Sequence, residues 1–200
     1  MTNSTQIHFI RHGHVHNPQD IYYGRLPGFS LSEEGRRQAQ ATANALRDQA
    51  LAAIFSSPLI RAIETAEAIL ALHSSLTLQV SDLLKEVYSP FDGRSRDEMR
   101  ARKWDVYTGT KPPYEQPVDV LARAQRFMAE VRQQHAGRQI VAVTHGDFIS
   151  FATLWAKGMP IVPEQKQELY QEYLAPGSIT TFTFSSTAQD ETPGVEYIKP

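Results

Sequence analysis

A neutral imidazole carries a lone pair that can attack phosphorus, and a guanidinium presents a planar fork that grips phosphate oxygens. The two occur side by side at Arg11-His12-Gly13, directly after the short apolar run Ile7-His8-Phe9-Ile10. A second imidazole, His145, precedes Gly146 and follows the nearly continuous apolar run Gln139-Ile140-Val141-Ala142-Val143-Thr144. Runs of this kind suit buried strands, the second a central parallel one. In open α/β sheets ligands sit outside the carboxyl ends of the strands. That is where Arg11, His12 and His145 would project, and this combination points to phosphate chemistry.

Two further residues can join them. Arg61 falls in the first turn of a helix predicted to begin near Leu59, just after the strand Ala53-Ile54-Phe55-Ser56. Free backbone donors and the positive end of the helix dipole draw an anion to such a position. Glu86, in Leu83-Leu84-Lys85-Glu86-Val87-Tyr88, is a candidate acid. A different chemistry is open to His12, His14 and His16, whose alternating spacing suits ligands on one metal in a metal-dependent hydrolase. No matching His and Asp cluster follows, and His8 and His73 have no evident partners, so the expectation is no metal and no cofactor.

The elements that must position these residues alternate along the chain. Ser32 reads as an N-cap with Glu33 and Glu34 in the first turn, and Ala39, Ala43, Leu46 and Ala50 follow at helical spacing. Ile63, Ala66 and Leu70 form the buried stripe of the next helix, and residues 76–80 suit a third strand. Val120, Ala124, Phe127 and Val131 mark the clearest amphipathic helix. A further helix follows over 147–157, and two late strands, 178–185 and 194–198, read as antiparallel edge pieces. The expected fold is therefore α/β, a three-layer sandwich with a mostly parallel central sheet and helices on both faces.

Between these elements, residues 14–30 read as a functional loop in which Tyr22, Tyr23, Arg25 and Phe29 shape the pocket for the leaving group. The segment 88–116 reads as a substrate-shaping insertion. Within it Arg94, Arg96, Arg100, Arg102 and Lys103 alternate with Asp97 and Glu98, which predicts a short helix with an exposed charged face, able to present one or two cations to a substrate.

With 200 residues, 41% hydrophobic and 21% charged, the chain reads as one domain spanning 1–200. Its formal net charge of -2 offers no global basic field for nucleic acid. The absence of cysteine removes disulfides, thiolate metal sites and thiol nucleophiles from consideration. No apolar run reaches membrane-spanning length, and Met1-Thr2-Asn3-Ser4-Thr5-Gln6 lacks a signal-peptide pattern, so the expectation is a cytoplasmic protein with no membrane partner.

Together, Arg11-His12-Gly13, Arg61 within Ser57-Pro58-Leu59-Ile60-Arg61-Ala62-Ile63-Glu64-Thr65-Ala66, Glu86, and Thr144-His145-Gly146 resemble the histidine phosphatase superfamily, the phosphoglycerate mutase-like fold. The loop Tyr23-Gly24-Arg25-Leu26-Pro27-Gly28-Phe29-Ser30-Leu31-Ser32-Glu33-Glu34-Gly35 is similar to the one that family places after its nucleophile. The resemblance implies a phosphomonoester hydrolase acting on a small phosphorylated substrate and compatible with a homodimer. His12 would be phosphorylated, Arg11, Arg61, His145 and Asn17 would hold the phosphoryl group, and Glu86 would donate the proton. The family commonly follows its acid with an aromatic-glycine pair, whereas Val87-Tyr88-Ser89-Pro90-Phe91-Asp92-Gly93 is one residue shorter, so Asp82 and Asp92 stand as alternatives. Other outcomes are a cofactor-dependent phosphoglycerate mutase-type phosphotransferase and a non-catalytic phosphate-binding module.

Overall fold

The computed structural model describes residues 4–172, 174–188 and 190–200. Its sheet is built from β1 (Thr5–Arg11), β2 (Leu51–Ser56), β3 (Leu78–Val80), β4 (Gln139–Thr144), β5 (Ile179–Phe184) and β6 (Gly194–Ile198), in the spatial order β3-β2-β4-β1-β5-β6. The pairs β2–β3, β2–β4 and β1–β4 are parallel, while β5 runs antiparallel to both β1 and β6. Only β6 lies at that edge. The reading of both late strands as edge pieces is therefore corrected for β5, whose Ile179, Phe182 and Phe184 are buried. The third strand is also shorter than the predicted 76–80.

Side-chain alternation explains the three layers. Ile10, Ile54, Val141 and Val143 face the helices α1 (Glu33–Leu46) and α2 (Ile60–Leu70), packing with Ala43, Leu46, Ala62, Ala66 and Ile69. On the opposite face, Ile7, Phe9, Phe55, Ile140 and Ala142 meet α4 (Pro117–Gln134) and α5 (Gly146–Ala156). Phe9 anchors this half: its ring centroid lies 5.3 Å from both Phe148 and Phe182 and 6.0 Å from Phe127. Edge-to-face contacts of this kind add to the burial energy of each ring.

Ser32 caps α1 by accepting from the Gly35 amide, as its sequence position predicts. Two glycines then let α1 approach the end of β1. A Cβ on Gly13 would lie 2.5 Å from the Gly35 carbonyl oxygen, and one on Gly35 would lie 2.0 Å from the His14 carbonyl oxygen. Both are fixed backbone atoms, so neither position tolerates a side chain.

The segment 88–116 contains a short helix, α3 (Arg96–Ala101), capped by Ser95. A further helix, α6 (Pro163–Glu172), has no counterpart in the periodicity reading, because Glu-Gln-Lys-Gln-Glu carries no apolar stripe. Pro163 at its first position is the one local signal for it. The helices α4 and α6 pack against α5, and the Tyr107 ring meets Phe151 at 5.5 Å, so nine consecutive residues of α5, 146–154, are buried.

Candidate active site

The register of β1 against β4 pairs Arg11 with Thr144, so the residues that follow each strand emerge side by side. The His12 amide donates to the Thr144 carbonyl at 3.1 Å, and the His12 and His145 ring centroids are 5.2 Å apart. Where β2 ends, the Ser57 amide donates to the Val143 carbonyl, which places the Ser57 hydroxyl 2.8 Å from His145 Nε2. Three neighbouring strand ends thus deliver both imidazoles and the start of α2 to one floor.

Hydrogen bonds set the state of His12. Its Nδ1 lies 2.8 Å from the Gly13 carbonyl oxygen, which has no proton to give, so Nδ1 carries the hydrogen and donates. Nε2 is left with the lone pair and accepts from Arg61 Nε at 3.2 Å. Burial, followed by the charges of Arg61 and Arg11, holds the His12 pKa well below the usual imidazole value. The ring is neutral at neutral pH, with its lone pair facing the cleft. His145 is depressed in the same direction, first by burial and then by Arg61 and His12.

Arg61 is completely buried. Its Nη2 donates to the Gly24 carbonyl at 2.7 Å and to His145 Nδ1 at 3.3 Å, and the guanidinium carbon stands 4.8 Å from the Tyr23 ring centroid. Among the described residues no carboxylate lies within ion-pair distance, and Nη1 has no hydrogen-bond partner. A buried guanidinium with a spare donor is costly unless an anion completes it. Arg11 also lines the cleft, its Nη1 donating to the Leu174 carbonyl.

Glu86 faces this group across the cleft, with Oε2 3.7 Å from His145 Nδ1. Burial, then the nearby Asp147 carboxylate, pushes its pKa up to about 7, against the opposing pull of Arg61. Asp147 is itself held at the start of α5, accepting from Lys166 Nζ at 2.9 Å and from the Tyr107 hydroxyl at 2.5 Å. Asp147, Lys166 and Tyr107 went unnoticed in the sequence. An acidic residue in a first helical turn is ordinary, and the partners come from α6 and the segment 88–116.

The remaining expectations divide. Tyr23 lines the cleft, stacked on Phe29 with centroids 5.3 Å apart. Arg25 does not reach the substrate space: its Nε donates to the Glu86 carbonyl at 2.7 Å and its Nη2 to Glu115 at 2.9 Å, so it braces the Glu86 segment. The Asn17 side chain closes its own loop on the Ile21 backbone and is absent from the cleft wall. Asp82 is 77% exposed and paired with Lys85, and Asp92 accepts from the Arg25 amide, so of the three acids Glu86 is the one on the cleft. His12, His14 and His16 do not converge. His14 Nδ1 pairs with the Ser32 hydroxyl, His16 is exposed, and no group of three His, Cys, Asp or Glu residues suited to a metal occurs among the described residues. Nor is any described helix long and apolar enough to cross a membrane.

The carboxyl ends of these parallel strands thus bring together two imidazoles, a buried arginine and a carboxyl whose pKa is about 7, a set of groups suited to binding a phosphoryl group. The sequence model of the histidine phosphatase superfamily (branch 1) matches residues 7–190, and the chain belongs to that superfamily. It is 40% identical to the uncharacterized protein Rv0525 of Mycobacterium tuberculosis over 153 residues, 72% of this chain and 75% of that one. It is 28% identical to phosphoserine phosphatase 1 of Hydrogenobacter thermophilus, covering 68% of each chain. In three dimensions it matches the mycobacterial glucosyl-3-phosphoglycerate phosphatase with a TM-score of 0.78 at 24% identity over 97% of both chains, a likeness of fold.

Proposed function

We propose that this chain hydrolyses phosphomonoesters of small molecules through a phosphohistidine on His12. The observation that carries the reading is the complementary state of two groups: an imidazole kept neutral whose lone pair is on Nε2, beside the Arg61 guanidinium, opposite a carboxyl whose pKa is about 7. In the first step Nε2 attacks phosphorus while the bond to the leaving oxygen breaks, and protonated Glu86 supplies that oxygen with its proton. In the second, Glu86 as carboxylate takes a proton from water, whose oxygen displaces His12 from phosphorus. Arg11 and Arg61 carry the charge that spreads over the phosphoryl oxygens in the transition state. An incoming dianion opposes the charges of Arg61 and His12 that, after burial, depress His145, and so favours a proton on its Nδ1.

Hydrolysis in preference to phosphoryl transfer is supported by the open cleft of about 600 Å³ beside Glu86, through which water reaches the acid. Phosphate release should be measured over a panel of phosphomonoesters, with and without chelator, for the parent and for His12→Ala. The expected result is release that His12→Ala abolishes while circular dichroism stays unchanged, with alkali-quenched samples showing label on the parent alone. Near-normal turnover by a folded His12→Ala protein overturns the mechanism, and transfer to an added alcohol in place of free phosphate would mark a phosphotransferase.

A further inference from the structure

A carboxylate in the wall of a cleft that receives a dianion works against binding unless its own lone pairs are put to use. Asp147 stands in that position, lining the cleft from the first turn of α5 with its side chain 12% exposed. A carboxylate offers about four acceptor positions, shared between its two oxygens. Here both protein donors converge on one of them, Lys166 Nζ at 2.9 Å and the Tyr107 hydroxyl at 2.5 Å, each to Oδ2. Oδ1 accepts from no described residue, yet it is not sealed from solvent, and the cleft is the space that Asp147 borders.

Three elements hold this carboxylate still. Asp147 belongs to α5, Lys166 to α6 and Tyr107 to the segment 88–116. Burial, then the Asp147 charge, pushes the Tyr107 hydroxyl well above its usual range, so Tyr107 keeps its proton and donates. Lys166 Nζ also donates to the Trp104 carbonyl at 3.3 Å and lies 5.1 Å from the Tyr107 ring centroid. Turning the carboxylate about its Cβ–Cγ bond would break both bonds to Oδ2, so Oδ1 keeps one orientation. Packing alone does not call for this arrangement, since a buried ion pair returns little stability over apolar side chains of the same size. Among the described residues the cleft wall carries two carboxyl side chains, Glu86 and Asp147. Glu86 is engaged with the bridging oxygen, which leaves Asp147 as the acidic acceptor for the rest of the leaving group.

We propose that Asp147 Oδ1 is a specificity-determining acceptor for a hydrogen-bond donor on the substrate's leaving group, a hydroxyl or an ammonium, so that phosphomonoesters of polyols or amino alcohols are the preferred class. Turnover of such esters rests on the phosphatase reading, whereas their binding does not.

Asp147→Asn supplies the contrast. Lys166 has only protons to offer, so the amide turns its single oxygen toward Lys166 and its NH2 takes the place of Oδ1. An acceptor facing the cleft becomes a donor. Parent and variant kcat/KM are compared for glycerol 3-phosphate against propyl phosphate, which differ by hydroxyls, and for phosphoethanolamine against ethyl phosphate, which differ by an ammonium. Asp147 also raises the Glu86 pKa, but that effect is common to both members of a pair and cancels from their ratio. The parent ratio should exceed the variant ratio by roughly tenfold or more in at least one pair, the scale of one hydrogen bond to a charged group. The pair that shows it names the donor. Tyr107→Phe removes one donor from Oδ2 and leaves Lys166 and Oδ1 in place, so it should keep the parent ratio. Equal ratios for parent and Asp147→Asn in both pairs, or a loss of ratio in Tyr107→Phe as large as in Asp147→Asn, overturns the subsite. Calorimetric binding of the same four compounds to His12→Ala separates the two readings. Donor-dependent binding without turnover in the parent keeps the subsite and removes the phosphatase, whereas binding blind to the donor removes the subsite.

Discussion

The Glu86 carboxyl is asked to give a proton and then to accept one, which requires a pKa near the working pH. Its value of about 7 meets that demand. For an alkyl phosphate, kcat/KM should therefore fall as pH rises through about 7, and Glu86→Gln should erase that limb while slowing the alkyl ester far more than p-nitrophenyl phosphate, whose leaving group needs no proton. Equal losses on both esters would remove Glu86 from the role. The same shift has a cost in stability. With its folded pKa above the ordinary 4.5, the native state binds the extra proton between those values, so the stabilisation present below 4.5 is lost as pH rises through about 7. Glu86→Gln should accordingly raise stability at pH 8, on the order of 2 kcal/mol by urea unfolding, with no such gain at pH 4. Arg61 stands on the other side of the balance. Arg61→Ala should cost about 2.7 to 4 kcal/mol of transition-state stabilisation, the scale of one lost oxyanion donor, and a drop below about tenfold in kcat would show the guanidinium to be structural.

At the scale of elements, the acid lies on no helix or strand and has to be held by its neighbours. Glu115 does most of this. It accepts from Arg25 at 2.9 Å, from Arg123 at 2.6 Å and from the Tyr88 amide at 2.7 Å, while Arg123 also donates to the Lys85 carbonyl at 3.0 Å. The loop after β1, the segment 85–88 and α4 are thereby joined around one carboxylate. Glu115→Ala would leave two partly buried guanidiniums and an amide without their acceptor, and a loss of about 1 to 3 kcal/mol in denaturant unfolding is expected. It should also lower kcat on alkyl phosphates more than on aryl ones, because what moves is Glu86. An unchanged alkyl-to-aryl ratio would show that the bracing is purely structural.

Over the whole molecule, the site depends on how closely α1 can seat against the end of β1. The contacts of Gly13 with Gly35 and of Gly35 with His14 are backbone against backbone, an added Cβ meeting a carbonyl oxygen at 2.5 Å and 2.0 Å, so relief requires moving the helix or the nucleophile loop. Gly35→Ala should destabilise the fold by several kcal/mol, on the order of 3, and abolish activity in whatever fraction remains folded. Gly28 offers the contrast. Its φ is +83° but nothing lies within 4 Å of an added Cβ, so Gly28→Ala should cost only the backbone strain of about 1 to 2 kcal/mol. Thermal melts of the two variants compare steric conflict with conformational strain directly.

Local pattern was enough for much of this architecture. Apolar runs ending in Arg11-His12 and Thr144-His145, the cap at Ser32 and the stripe of α4 each record a decision made within a few residues, and strand and helix periods follow from local geometry. The position of Arg61 in the first turn of α2 was legible for the same reason. The side-by-side placement of His12 and His145, though, depends on β1–β4 register, which joins residues more than a hundred positions apart. Long-range packing likewise decided which acid faces the cleft, turned Arg25 from a substrate contact into a brace, and brought Lys166 from the unforeseen α6 to Asp147. Only the tertiary structure could settle these, because a side chain's burial, and with it the cost of its charge, belongs to the neighbours that remove its water.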